Sequence, residues 1–306
     1  MNTPVKLGGY VAGLAAVFAA ALGVGALAGP APAPPPAAHA DGGHSSAAPA
    51  AEVPGGLQVA QDGYRLVPTT GALRVGEAAP FTFRIAGPDG RPVTAYTPTH
   101  DKDLHLIAVR RDLTDFQHVH PTRAGDGTWT VPLAAAGAGQ YRVFADFQPA
   151  GHAEPLTLGV DVPAAGDYSP RPLPRPERST TVDGYTVTLA GDLVPGTASK
   201  LTLRVERDGE PVTDLQPYLA AYGHLVALRD GDLAYLHVHP HGAPGDGHTA
   251  AGPDITFYAE VPSAGAYGLF LDFQHAGTVR TAAFTAYAGD GAPATGGHQS
   301  DGHPHD

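Results

Sequence analysis

The residues with the clearest chemical potential are histidines in two matching segments. HLIAVRRDLTDFQHVHP at 105–121 carries His105, His118 and His120, and HLVALRDGDLAYLHVHP at 224–240 carries His224, His237 and His239. Corresponding histidines stand 119 positions apart throughout. In a β-strand, residues two apart share a face, so His118 and His120 point the same way. An even-length loop near Arg111–Thr114 folds the segment into a hairpin with His105 opposite His120 or His118. The three imidazoles then converge on one face, with Ile107, Val109 and Phe116 further along it. In the second copy, a turn at Gly231-Asp232 pairs His224 with His239, and a turn at Asp230-Gly231 pairs it with His237. Either register keeps the three rings on one side.

Clustered neutral imidazoles suit a borderline transition ion, and copper(II) heads the affinity order for such sites. The chain has no Cys, and its single Met is Met1. Thiolate sites, disulfides and a thioether copper(I) site are therefore excluded. Copper(II) or zinc is the expected ion, with His105, His118 and His120 as one ligand set and His224, His237 and His239 as another. Further ligands are available in His100 or Asp101 in the first copy and in His241 or His275 in the second. Asp146 and Asp272 occupy equivalent places in a later strand. Each could be a ligand, an acceptor for an imidazole N–H, or a turn-stabilising carboxylate. The competing expectation is that the histidines only brace the sandwich edge, since shared ancestry repeats a structural residue as faithfully as a ligand. His298, His303 and His305 read as weak scavengers of metal or as part of a solvated tail.

The elements that must position these residues are short strands. Gly and Pro are abundant, at 40 and 31 of 306 residues, and helix signals are weak, which favours strands joined by turns. The histidine segments belong to a longer internal repeat. DGYRLVP at 62–68 matches DGYTVTL at 183–189, and FTFRIAGPDGRPVT at 81–94 matches LTLRVERDGEPVT at 201–213. YRVFADFQPAG at 141–151 matches YGLFLDFQHAG at 267–277. The turns at Pro88-Asp89-Gly90 and Asp208-Gly209 are hairpin signals. The expected fold is all-β, with two tandem immunoglobulin-like antiparallel β-sandwich domains. Residues 1–28, a signal peptide or membrane anchor, are expected to form a hydrophobic helix, and 29–57 an Ala/Pro-rich tether. The sandwiches span 58–165 and 180–288, joined by a Pro-rich linker at 166–179. A His-rich tail at 289–306 is expected to be disordered.

The repeated HL-V/I, H-x-HP and Y-x-x-F-x-DFQ-x-AG patterns, behind an N-terminal apolar segment, resemble uncharacterised exported proteins of high-GC Gram-positive bacteria. Their domains look similar to the YtkA-like and FixH-like sandwich group and, more distantly, to CopC-type copper-resistance proteins. The resemblance covers roughly residues 58–288. It implies a β-sandwich and, loosely, metal handling in the envelope. The chain departs from the copper-resistance pattern in having no Met-rich loop and no mature N-terminal His, and no catalytic residue carries over.

The formal net charge is −12, and no basic patch suited to nucleic acid is present. G-x-S-x-G, phosphate-loop and H-E-x-x-H motifs are absent, so the chain is expected not to be an enzyme. A non-enzymatic structural or interaction module of the cell envelope is the alternative to metal handling, with an envelope protein as its partner. Lys6 precedes an apolar run from Leu7 to Ala28, followed by Ala38-His39-Ala40. This segment reads either as a cleaved secretory signal or as an uncleaved membrane anchor. Both place the rest of the chain outside the cytoplasm. A reporter fused after Asp306 should therefore be active outside the cytoplasm, and activity confined to the cytoplasm would overturn this expectation.

Overall fold

Strand alternation builds the first sheet of each sandwich. In Ala79–Ala86, Phe81, Phe83 and Ile85 are buried, while Thr82 and Arg84 between them are only partly covered. In Ala198–Arg207, Leu201, Leu203 and Val205 are buried in the same rhythm. A period of two gives one face to the core and the other to solvent. The computed structural model describes residues 53–236 and 238–289, with the main chain but not the side chain of His239. The expected N-terminal helix, most of the tether, the tail beyond 289 and the position of His237 lie outside the described residues.

Two antiparallel sandwiches follow one another along the chain. In the first, one sheet runs in the order 60–61, 64–68, 79–86, 128–133, 122–123. Its partner runs 156–164, 139–149, 104–110, 117–119, with 96–97 also paired to 139–149. In the second, the sheets run 179–182, 185–190, 198–207, 254–260, 238–240 and 235–236, 224–229, 265–275, 278–288. Tyr141, Val143, Phe147, Phe81, Phe83 and Trp129 lie in the core of the first sandwich. Tyr267, Leu269, Phe273, Leu203, Val205 and Phe257 lie in that of the second. No helix long and apolar enough to cross a membrane occurs among the described residues.

The second sheet of each sandwich breaks the alternation. Every residue of Leu104–Arg110 is buried. Leu106 and Ala108 face their own core. Ile107 and Val109 belong instead to a separate cluster with Leu113, Phe144, Val226, Leu228, Leu233 and Phe270. The two sandwiches thus pack face to face through these sheets along an apolar seam. Aromatic pairs close it: Phe116 stacks on Phe270 at 4.1 Å between ring centres, and Phe144 meets Tyr235 at 5.6 Å. Phe116 and Tyr235 are equivalent in the repeat, as are Phe270 and Phe144, so the seam has the self-complementary character of a two-fold contact.

Each hairpin tip sends a leucine into the seam from a left-handed backbone, Leu113 at φ 60° and Leu233 at φ 61°. A residue with a Cβ rarely adopts this conformation, and here it turns an apolar side chain inward. Beside it, Asp112 accepts hydrogen bonds from Arg110 Nε (2.9 Å) and Nη2 (2.8 Å) and from the Arg171 amide (2.8 Å). This ties the linker to the hairpin. Leu193 and Ala288 also form an isolated parallel bridge, outside the antiparallel ladders.

Phe144 is fully buried at the seam. Phe144→Ala should cost about 3–5 kcal/mol in denaturant unfolding, the range for emptying a buried aromatic site, and a loss under about 1 kcal/mol would contradict the seam. The Asp112 carboxyl would be raised by burial, but Arg110, the Arg171 amide and the Thr114 hydroxyl outweigh burial and hold it at about 2. A depressed carboxyl stabilises the fold above its unfolded value, about 4, and that contribution is lost as pH falls towards 2. The acid limb of stability between about pH 4 and 2 should therefore be shallower in Asp112→Asn than in the parent.

Candidate metal centre

At one end of the apolar seam the same sheet faces turn polar. The hairpin pairs Leu106 with Val119 and Ile107 with His118. That register sets His105 across from His120, and the hairpin tip is closed by the Arg110 amide on the Thr114 carbonyl at 2.9 Å. His105, His118 and His120 therefore share one face, and Ile107, Val109 and Phe116 continue from it into the seam. His105 is 5 % exposed, and the His118 side chain is equally covered. One ring nitrogen from each of the three lies within 4.8 Å of the others. His105 Nδ1 is 3.2 Å from His118 Nε2 and 3.1 Å from His120 Nε2.

Hydrogen bonds fix the tautomers of two rings. His105 Nε2 lies 2.9 Å from the Thr99 carbonyl. A carbonyl only accepts, so Nε2 carries the proton and Nδ1 presents a lone pair. His118 Nδ1 lies 2.7 Å from Asp272 Oδ2, so Nδ1 donates to the carboxylate, and in the neutral ring Nε2 presents a lone pair. Asp272 belongs to the second sandwich. Its side chain is 4 % exposed, and its Oδ1 accepts from Thr281 Oγ1 at 2.5 Å.

The second sandwich repeats part of this frame. His224 lies directly across from Asp272, as His105 does from Asp146. His224 Nε2 donates to the Tyr218 carbonyl at 2.9 Å, the counterpart of Thr99. Its ring stands 5.2 Å from His100 and 6.4 Å from His118, while His100 is 6.0 Å from His105. His120 packs edge-on against Tyr218 at 6.1 Å. Histidines of both repeats thus gather in one neighbourhood between the sandwiches, which the hairpin parity of either segment could not indicate.

The hairpin of the second copy follows the Gly231-Asp232 register, with Ala227 paired to Leu236. It does not continue to His239. After Leu236 the chain changes sheet, and Val238–Pro240 pairs with 257–259 of the opposing sheet. In the first copy pairing with Leu104–Arg110 lasts to Val119, and the switch comes only at Thr122–Arg123. The side chains of His237 and His239 lie outside the described residues.

The further candidates separate. His241 packs edge-on against Tyr258. His275 is held between Tyr185 Oη (2.7 Å) and Asp214 Oδ1 (3.0 Å). Neither is among the clustered ring nitrogens. Asp146 accepts from Thr157 Oγ1 at 3.3 Å, and desolvation pushes its carboxyl up to about 6 against the opposing effect of the Thr157 and Tyr235 hydroxyls and the nearby imidazoles. Burial lowers His105 and His120 to about 3, and neighbouring imidazoles add to the shift. His224 falls to about 4 for the same leading reason. These rings are neutral near pH 7, the form in which imidazole binds a metal.

The family model described as "Domain of unknown function (DUF8832)" matches residues 58–164 and again 180–290. The chain belongs to this family. Its two matches fall on the two sandwiches, one copy each. No curated protein matches. Among solved structures, the Escherichia coli adhesin FdeC is 16 % identical at a TM-score of 0.24, covering 74 % of this chain and 64 % of its own. The Yersinia pseudotuberculosis adhesin InvE is 14 % identical at 0.21, covering 73 % and 58 %. A Corynebacterium diphtheriae protein described as a "Putative membrane anchored protein" is 10 % identical at 0.22, covering 76 % and 60 %. The DUF8832 chain thus spans less than two thirds of each, and overlaps this loose carry no functional inference.

Proposed function

We propose that this DUF8832 protein is a non-enzymatic module of the cell envelope, in which buried histidines brace two β-sandwiches into a joint unit for interaction with an envelope partner. The observation that supports the brace most directly is the hydrogen bond from His118 Nδ1 to Asp272 Oδ2. It joins residues 154 positions apart, one from each repeat, and both side chains are about 95 % covered. His105 and His224 reinforce it by holding the loop carbonyls of Thr99 and Tyr218. The extracytoplasmic location rests on Lys6 and the apolar run from Leu7 to Ala28.

A second reading, metal handling with copper(II) or zinc, is favoured by one observation, the convergence of three ring nitrogens at His105, His118 and His120.

A double-mutant cycle tests the brace, with metal removed by chelator. His118→Ala and Asp272→Ala should each destabilise by about 1–3 kcal/mol, the cost of leaving a buried polar partner unpaired. Their combination should lose less than the sum, with a coupling of about 1 kcal/mol or more, within the range for groups in direct contact. Additive losses would overturn the brace.

A further inference from the structure

We propose that His105 Nδ1, His118 Nε2 and His120 Nε2 bind one divalent transition ion, copper(II) or zinc, and that Asp272 of the second sandwich orients His118 for it. The inference builds on the contact between the sandwiches but does not require the brace to be the protein's purpose.

Two ring nitrogens define the site. His105 is pinned through Nε2 to a carbonyl, and His118 through Nδ1 to a carboxylate. In their neutral forms, both remaining nitrogens are bare. Yet they face each other at 3.2 Å, where two lone pairs repel unless a cation, either a metal ion or a proton carried by one of the rings, stands between them. The third nitrogen, His120 Nε2, approaches the same point at 3.1 Å from His105 Nδ1. Tetrahedral coordination with metal–nitrogen bonds of about 2.0–2.1 Å separates ligand nitrogens by about 3.3–3.4 Å. Both separations are within a few tenths of an ångström of that spacing. Small movements of His120, the least enclosed of the three rings, complete the geometry.

The outer hydrogen bonds point the same way. Metal-bound imidazoles characteristically donate the other N–H to a carbonyl or carboxylate, which fixes the ring and raises its basicity. His105 has the carbonyl and His118 the carboxylate. Asp272 is itself held by Thr281 Oγ1, so His118 is anchored through a chain of two hydrogen bonds rooted in the other sandwich. An all-nitrogen donor set excludes hard oxygen-seeking ions and suits copper(II) or zinc. His100 and His224 stand one ring further out and are not assigned as ligands.

The test uses the full chain with the tail histidines His298, His303 and His305 changed to Ala, so that the tail contributes no background. Zinc and copper(II) are titrated separately against a competing chelator. One ion per chain should bind at this site, and copper(II) should give an electron paramagnetic resonance spectrum with nitrogen hyperfine coupling. His120→Ala should weaken binding more than tenfold. It removes neither hydrogen bond that pins the other two rings, so a circular dichroism spectrum like the parent's is expected. Asp272→Ala should weaken binding by about 10–100-fold, the usual effect of removing an outer partner. Asp272→Asn, which keeps an acceptor oxygen, should recover part of that loss; a purely structural role for Asp272 would leave the affinity of the folded variants unchanged. Added ion should raise the unfolding midpoint of the parent but not of His120→Ala. Binding of neither ion, or equal binding by parent and folded His120→Ala, overturns the site. The double-mutant cycle is run without metal, so the brace and the ion site can fail separately.

Discussion

A sheet has two faces, and in this protein the middle sheets have both of them dry. Leu104–Arg110 spends Leu106 and Ala108 on its own core and Ile107 and Val109 on the neighbouring sandwich. The arrangement at the histidine end follows from that double burial. A polar group carried into a dry seam must find a hydrogen-bond partner or destabilise the fold. The His105, His118 and His224 rings each use one nitrogen on a carbonyl or carboxylate. Satisfying one nitrogen determines where the other aims. Dehydration thus fixes the ring orientations, and at His105 and His118 the second nitrogens aim at a common point.

The repeat makes this frame nearly two-fold symmetric, and besides the sheet change after Leu236 a substitution breaks the symmetry. Asp146 and Asp272 are equivalent, and each lies opposite a threonine, Thr157 or Thr281. The aromatic residue that follows each hairpin is Phe116 in the first copy and Tyr235 in the second. The Tyr235 hydroxyl reaches Asp146, whereas a phenylalanine has nothing to offer Asp272. Asp272 instead serves His118. Two carboxyls of common origin therefore have different occupations, one facing a phenol and the other an imidazole.

Much of this architecture is written locally. Alternation in Ala79–Ala86 and Ala198–Arg207, the turn residues and the repeat give two sandwiches, and strand parity puts His105, His118 and His120 on one face. The seam is less legible because period two assigns one face of a strand to solvent by default. The signal was present in the unbroken apolar runs HLIAVR and HLVALR, which suit a strand covered on both sides. The pairing of His118 with Asp272 has no local signature, since it depends on how two finished sandwiches dock. The sheet change after Leu236 is similarly hidden. His-Val-His-Pro reads alike in both copies, yet the backbone partners of Val238–Pro240 come from the opposing sheet.

The segment entering the first sandwich has a mechanical consequence. The Gly55 carbonyl accepts from the Tyr235 amide at 2.9 Å, and the Gly56 amide donates to the Thr157 carbonyl at 2.8 Å. Adjacent residues of one segment are thus fastened to different sandwiches. The Gly56 carbonyl is gripped as well, by Arg142 Nη2 at 2.6 Å. Tension applied to the chain ahead of Val53 would be shared between both sandwiches at the place where they meet. The load would enter at the joint, where the aromatic pairs and the buried histidines resist separation together.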